Sequence, residues 1–324
     1  MTPPPGGPVT PRVGIVGARR AREGLGPFVA RDLVAAGAVV PCFLTRSEAT
    51  RDAAGAALRE AAGVEARGYT DLGAMLARER LDALAILSPA DTHERYLEAA
   101  AEAGLHALCE KPLCWGAPAR ELLARAERRV AAFCERGLLL VENCQWPWTL
   151  PAFEALHPGS LAAPPRRFEM AQEPSVRGQG SLGEALPHPI SLLQALLPGA
   201  PRVRDVEFST RDPEASELRV RFRCETHAGS CEVRSRLTHS LARPRQTSLA
   251  IDGRRALRRV SPGSYRLCFA DAERSVPLAD PLTRLVADFV DALRSGRKTE
   301  PDPILQRMQV LVTIAAAYSG EAIG

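Results

Sequence analysis

The sequence predicts an α/β protein followed in the same chain by an α+β one: a doubly wound parallel sheet, then an open, mostly antiparallel sheet with helices on one face. Three observations predict it. At 324 residues the chain exceeds the size at which one hydrophobic core keeps growing, so two domains are expected. Up to about residue 140, short apolar runs alternate with amphipathic stretches, the pattern of βαβ units. From Trp148 onward apolar and polar residues alternate with period two, the pattern of half-buried antiparallel strands. The expected division is a tail over 1–11, a first domain over 12–147 and a second over 148–324, its C-terminal helix able to fold back on the first.

The elements follow in order. Val13 to Val16 is a strand, and Pro27 to Ala36 a helix closed by Gly37. Val39 to Leu44 is the second strand, and Leu84 to Leu87 a further one. Asp91-Thr-His-Glu94 has the spacing of a capping box and starts a helix that runs to Gly104. His106 to Cys109 is the next strand; Leu122, Ala126, Val130 and Phe133 recur at helical spacing, and Leu138 to Val141 closes the domain. In the second domain Leu218, Val220, Phe222 and Cys224 pair with Cys231, Val233 and Leu237 across a turn at Thr226 to Gly229. Val206 and Phe208, Leu249 and Ile251, and Tyr265, Leu267 and Phe269 add strands. Two helices end the chain, one opening at Asp280-Pro281 and stopping at Gly296, the other opening at Asp302-Pro303.

Composition narrows the function classes. Hydrophobic residues at 45% and charged residues at 25% are the balance of a globular chain. The most apolar stretch, Leu33 to Leu44, is broken by Gly37 and Pro41 and falls short of the roughly 20 residues of a membrane span. A net charge of +4 without a basic block gives nucleic acid nothing to grip. The eight cysteines form no C-x-x-C pair, which argues against a metal site and for reduced thiols. The Pro- and Gly-rich start lacks the features of a signal peptide, so a cytoplasmic setting is expected. Almost every basic residue is Arg; the only lysines are Lys111 and Lys298.

The first strand runs into Gly17-Ala18-Arg19-Arg20, then Arg22, Gly24 and Gly26. A dinucleotide-binding Rossmann domain needs glycines here, because the backbone turns tightly against the pyrophosphate while the next helix aims its N–H groups at it. The spacing is longer than G-x-G-x-x-G, and glycines after a strand also serve turns alone. The second strand ends at Thr45-Arg46-Ser47, where an NAD-binding domain places a carboxylate for the ribose hydroxyls. Arg and hydroxyl groups suit a 2′-phosphate, which favours NADP over NAD; the alternative is a surface turn.

Ser88-Pro89-Ala-Asp-Thr-His93, a helix, Gly104, and then His106-Ala-Leu-Cys-Glu110-Lys111-Pro112 make the most specific pattern in the chain. In these motifs and their spacing the chain resembles the Gfo/Idh/MocA family of glucose–fructose oxidoreductases and inositol dehydrogenases, with a Pro-x-x-x-His turn followed by Glu-Lys-Pro. The resemblance extends through the later sheet and implies hydride exchange between a nicotinamide and a hydroxyl or carbonyl carbon of a sugar, cyclitol or polyol. It also implies a cis peptide at Lys111-Pro112, a positioning role for His93, with a capping role as the equal alternative, and a place near the nicotinamide for Asn143-Cys-Gln145-Trp146. Lys111 falls just past a parallel strand's carboxyl end, where such sheets bind ligands. An ammonium there can donate to an oxygen gaining negative charge and relay a proton, which Arg cannot. Glu110 is expected to position rather than react, and Gln145 to touch the ring or substrate, or to belong to a packed aromatic hinge.

The family's second catalytic element is an Asp followed four residues later by His; here Glu184 and His188 stand in Gly178-Gln-Gly-Ser-Leu-Gly-Glu184-Ala-Leu-Pro-His188-Pro. The resemblance implies that His188 exchanges the substrate's proton, with Lys111 and Glu184 steering it. Pro187 and Pro189 restrict His188 to a helix's first turn, where the dipole favours a neutral imidazole able to exchange the substrate's proton. A capping or core histidine is the competing reading. The expected activity is that of a dehydrogenase or reductase on a small molecule, in a homo-oligomer such as a dimer or tetramer. The alternatives are a non-catalytic dinucleotide or sugar sensor, and a redox-neutral glycosidase or epimerase with bound NAD. Substrate identity and reaction direction are not written in the sequence.

Overall fold

A computed structural model describes residues 10–18, 24–210, 212, 214–261 and 266–321. Arg19, Arg20 and Arg22 of the glycine loop, and Tyr265, lie outside them. The described residues form two compact units. The first comprises 1–114, 127–143 and 282–301, and the second 115–126, 144–281 and 302–324.

In the first unit six parallel strands, β1 (Val13–Val16), β2 (Cys42–Leu44), β3 (Arg67–Tyr69), β4 (Ala83–Ile86), β5 (His106–Cys109) and β6 (Leu140–Glu142), lie in the order β3-β2-β1-β4-β5-β6. Strands β1 and β4 are buried along their whole length, as strands covered by helices on both faces must be. Between strands run α1 (Gly26–Ala35), α2 (Glu48–Ala62), α3 (Leu72–Arg78), α4 (His93–Glu102) and α5 (Ala119–Glu135), the last crossing the boundary between the units. Helix α4 does not start with the expected capping box. A 3-10 turn over Ala90–Thr92 takes up Asp91, the expected capping residue, so the N-cap is Thr92, whose hydroxyl donates to Pro89 O at 2.6 Å instead of capping. Turn geometry before the helix has captured the hydroxyl, a competition open to any Thr at such a place.

A later helix, α9 (Pro281–Ser295), contributes to this unit's core. Leu282, Leu285, Val286, Phe289 and Val290 pack with Val29, Leu33 and Leu58, and Thr283 donates to the buried Asp32 carboxylate at 3.0 Å.

The second unit is built on eight strands: β7 (Arg167–Gln172), β8 (Arg202–Phe208), β9 (Glu217–Thr226), β10 (Gly229–Thr238), β11 (Thr247–Ile251), β12 (Arg254–Val260), β13 (Leu267–Ala270) and β14 (Ser275–Leu278). Their order is β14-β13-β12-β11-β7-β10-β9-β8, with β7 and β10 parallel and the other neighbours antiparallel. The alternation seen in the sequence becomes burial: Leu218, Val220, Phe222 and Cys224 face inward and Arg219, Arg221 and Arg223 outward. The outward charges neutralise one another, Arg221 with Glu232 at 3.0 Å and Arg234 with Glu232 at 2.7 Å. Four helices accompany the sheet: α6 (Leu150–Leu156), α7 (Gly178–Ala185), α8 (Pro187–Leu196) and α10 (Pro301–Ser319). No disulfide joins the cysteines, and no helix among the described residues is long and apolar enough to cross a membrane.

Candidate active site

The functional candidates of the first unit gather along one edge of the parallel sheet. Gly17, Leu87, Glu110 and Asn143 are the first residues past β1, β4, β5 and β6. Their amides donate in turn to Leu44 O (3.1 Å), Val16 O (2.8 Å), Ile86 O (2.8 Å) and Cys109 O (2.7 Å), so that four carboxyl ends finish level. Two glycines are obligatory. Gly17 has φ +88°, and a Cβ there would lie 2.7 Å from Leu87 O; at Gly26 it would lie 2.6 Å from the Ala18 backbone. Neither obstacle is a movable side chain, so α1 starts flush against the β1 loop with its N-terminal amides at the sheet edge. Ala18 is buried and Gly24 half-buried in the same loop.

At the end of β2, Thr45 is buried while Arg46 and Ser47 are exposed. The Ser47 amide and hydroxyl both meet the Thr50 hydroxyl, at 3.2 and 3.1 Å, so Ser47 serves the start of α2. Arg46 makes no hydrogen bond or ion pair among the described residues. It stands as an exposed cation just past the carboxyl end of β2.

His93 ties two loops together. Its ring is buried, with Nδ1 2.9 Å from Pro112 O and Nε2 2.8 Å from Ser88 O. Carbonyl oxygens only accept, so a neutral ring bonds one of the two and a doubly protonated ring both. The Ser88-Pro89 turn is thereby fixed to the loop carrying Lys111, whose peptide bond to Pro112 is cis. Ser88 also shares a 2.7 Å hydrogen bond with the Thr92 hydroxyl. Beside Lys111, the Glu110 carboxylate accepts a short bond from Asn143 Nδ2. Burial pushes the Glu110 carboxyl above its ordinary range, against the pull of the Lys111 ammonium, the Asn143 bond and His93. Glu142, buried one residue before Asn143, pushes the same way as burial.

The second unit holds the remaining candidates. His188 is the second residue of α8, between Pro187 and Pro189 in the first turn, as the prolines required. Its ring lies 5.9 Å from that of Trp146, which belongs to a 3-10 turn over Trp146–Thr149. The Arg258 guanidinium of β12 stands over the same indole, 5.8 Å from its centroid. Gln145 is half-buried, and its Oε1 has no hydrogen-bond partner among the described residues. Glu184 faces elsewhere: it accepts from the Ser175 amide at 3.0 and 3.1 Å, from the Ser175 hydroxyl at 3.0 Å, and from Arg245 Nη1. Burial lowers the Arg245 guanidinium to about 10, so it is still cationic at neutral pH.

Sequence reasoning did not single out Asn143, Arg245 or Arg258. Asn143 was within reach, as a polar residue ending an apolar strand two positions before Gln145. Nothing in the sequence marks Arg245 or Arg258, two of many arginines whose partners, Glu184 and Trp146, come from distant segments of the chain.

Residues 11–141 match the model of an oxidoreductase family with an NAD-binding Rossmann fold, GFO_IDH_MocA. A D-apiose dehydrogenase of Paraburkholderia graminis is 38% identical over 109 residues, which cover 32% of this chain and 27% of that protein. The chain thus matches about a quarter of that relative's length. Among solved structures, GenD2 from gentamicin A biosynthesis, in complex with NAD, has a TM-score of 0.70 at 19% identity, covering 99% of this chain and 97% of its own. KijD10, a 3-ketoreductase from Actinomadura kijaniata in complex with NADP and TDP-benzene, has a TM-score of 0.65 at 20% identity, covering 94% and 96%. The likeness to both is one of fold, and over residues 11–141 the sequence matches as well: this chain carries, at residues 11–141, the NAD-binding Rossmann domain of the Gfo/Idh/MocA oxidoreductase family.

Proposed function

We propose that the protein is an NAD(P)-dependent oxidoreductase acting on a hydroxyl or carbonyl carbon of a small sugar-, cyclitol- or polyol-like molecule. The observation that carries the reading is the sheet edge itself. In a sheet of order 3-2-1-4-5-6 ligands bind outside the carboxyl ends where the order reverses, between β1 and β4. Gly17 lies on one side of that point and Ser88 on the other, and Lys111 follows the next strand.

The residues present fit a dinucleotide. Gly17 and Gly26, with no Cβ, let the β1 loop close against Leu87 and the start of α1, and Ala18 and Gly24 belong to the same loop, where a pyrophosphate would meet backbone amides. Arg46, with Thr45 and Ser47 beside it and no carboxylate in that segment, favours NADP over NAD. Ser88, Pro89, His93, Glu110 and Gln145 are assigned to the nicotinamide end. A bound nicotinamide would supply the two-electron chemistry. The chain's own residues handle charge and proton: the Lys111 ammonium donates to the reacting oxygen and stabilises negative charge on it, and the His188 imidazole takes or returns the hydroxyl proton. Each role rests on that residue's own surroundings, Lys111 at the sheet edge and His188 in the first turn of α8.

Two further elements belong to the same reading. A homo-oligomer, dimer or tetramer, is proposed over the outward face of the eight-stranded sheet, where alternating Arg and Glu can pair with a second copy. A reducing, cytoplasmic setting agrees with thiols that form no disulfide.

The test is turnover on a panel of aldoses including D-apiose, cyclitols, and dTDP- and UDP-sugars, followed by nicotinamide absorbance. Lys111→Ala is expected to lower kcat by about 10²- to 10⁴-fold, the usual contribution of a positioned acid or base, with NADPH affinity within a few-fold. Unchanged turnover would contradict the assignment.

A further inference from the structure

Glu184 occupies the position at which the family resemblance expects an acid beside the substrate, yet its carboxylate is engaged by two loops of its own unit. One is 173–177, between β7 and α7; the other is 239–246, between β10 and β11. Both oxygens meet the Ser175 amide, one also takes the Ser175 hydroxyl, and the other takes Arg245. The loops are also joined directly, Ser240 N donating to Pro174 O at 3.0 Å and Gln246 N to Glu173 Oε2 at 2.8 Å. The Glu184 and Arg245 side chains are each only 20% exposed, where a charge-assisted bond keeps much of its strength.

This knot leads to His188 by two routes. Along the chain, Glu184 and His188 are four residues apart, and the α7 C-cap Leu186 is also the N-cap of α8. Through space, Arg245 O accepts from Arg258 Nη2 at 3.4 Å, Arg258 lies over Trp146, and Trp146 lies against His188. The two loops carry Val176 and Leu241, at 42% and 74% exposure, and Trp148 at 42% follows Trp146 in its turn. These are the exposed large apolar side chains of the second unit among the described residues.

We infer that Glu184 is a positioning residue, a clasp that holds loops 173–177 and 239–246 around the approach to His188 and so sets substrate specificity, rather than a proton donor to the substrate. The loops then present Val176 and Leu241 to an apolar face of the ligand, such as a deoxy carbon or an aromatic aglycone. An Asp at this position, one methylene shorter, could not serve both loops from the same backbone place.

Only the kinetic arm of the test rests on the oxidoreductase reading. Hydrogen exchange in Glu184→Gln and Arg245→Met proteins, each checked for a native melting transition, needs no substrate. The Ser175, Ser240 and Gln246 amides are expected to exchange about tenfold faster in both variants, the effect of losing a charge-assisted hydrogen bond, with no change in β9 or β10. Unaltered protection of those three amides would overturn the clasp. In the kinetic arm, the panel sugar with the highest kcat/KM in the unsubstituted protein is measured with Glu184→Gln and Glu184→Asp. A KM raised about tenfold in both, with kcat within threefold and its pH profile unchanged, supports positioning. A collapsed kcat in Glu184→Gln, with a lost limb of the pH profile that Glu184→Asp restores, would make Glu184 the proton donor and overturn the inference. Absence of turnover in the unsubstituted protein would count against the oxidoreductase reading alone, leaving the exchange result to decide the clasp.

Discussion

The two sheets solve opposite problems with the same kinds of residue. The parallel sheet uses strands of three or four residues, buried almost throughout in β1, β4 and β5, and sets its candidate functional residues just beyond their carboxyl ends. The eight-stranded sheet uses strands of up to ten residues with one face buried, and lets Arg and Glu fill the other. In the first, Gly17, Lys111 and Asn143 are placed by where strands stop. In the second, Arg258 and Arg245 are placed by which strands are neighbours, and His188 by two prolines. The lesson is that strand-end positions are local and readable, whereas face positions depend on pairing between segments far apart in the chain.

Three substitutions sharpen this contrast. Phe289 is fully buried in α9, a helix that follows the eight-stranded sheet in sequence but packs in the core of the parallel-sheet unit. Phe289→Ala is expected to cost about 3–5 kcal/mol by chemical denaturation, the range for a buried aromatic. A loss below about 1 kcal/mol would remove α9 from that core.

A smaller, pH-dependent effect is expected at His106. Its Nδ1 accepts from the Leu139 amide at 2.8 Å, joining β5 to the segment entering β6, which requires that nitrogen unprotonated. Burial lowers the His106 imidazole below the ordinary histidine value, against the opposing pull of Asp82. For a base whose folded value is depressed, the stabilisation is complete above the unfolded value and fades as pH falls through the folded one. His106→Asn, whose side-chain oxygen can accept the same bond, should therefore flatten the acid limb of the stability curve below the ordinary histidine range. An unchanged limb would mean that other groups set it.

The smallest effect is expected on the charged face. Arg221 is half exposed and shared between Glu207 and Glu232, so Arg221→Ser should shift the stability of the monomer by no more than about 0.5 kcal/mol. A loss above about 2 kcal/mol would mean that Arg221 holds the sheet of the monomer itself and does not serve its surface alone.

The contrast also explains what could be read in advance. Strands β1 and β5 are visible because uninterrupted apolar runs are bounded by glycine or charge, and the helix start at Pro187 because proline permits few positions. Helix α2 and strand β3 escape notice: α2 buries only Ala54 and Leu58 along its length, and β3 is a three-residue edge strand with Arg67 exposed. Strand β7 lies at the centre of its sheet, yet Phe168 and Met170 alone mark it in sequence. The capping box at Asp91 to Glu94 had the right letters, but a 3-10 turn took up Asp91 and moved the N-cap to Thr92. Among the candidate residues, the place of Glu110-Lys111 at a strand end and of His188 in a helix's first turn were legible. The engagement of Glu184 was not, because its Arg245 partner comes from a loop 61 residues away.

The most direct test of the central claim is a calorimetric titration of the protein with NADPH and with NADH, repeated with Arg46→Ala. Micromolar binding of NADPH, weaker binding of NADH, and a loss of about tenfold or more in NADPH affinity alone on removing Arg46 is the expected result, since the lost contact is charge-assisted. Failure of both nucleotides to bind would contradict the account, because the glycine turn at Gly17 to Gly26 would then hold no dinucleotide.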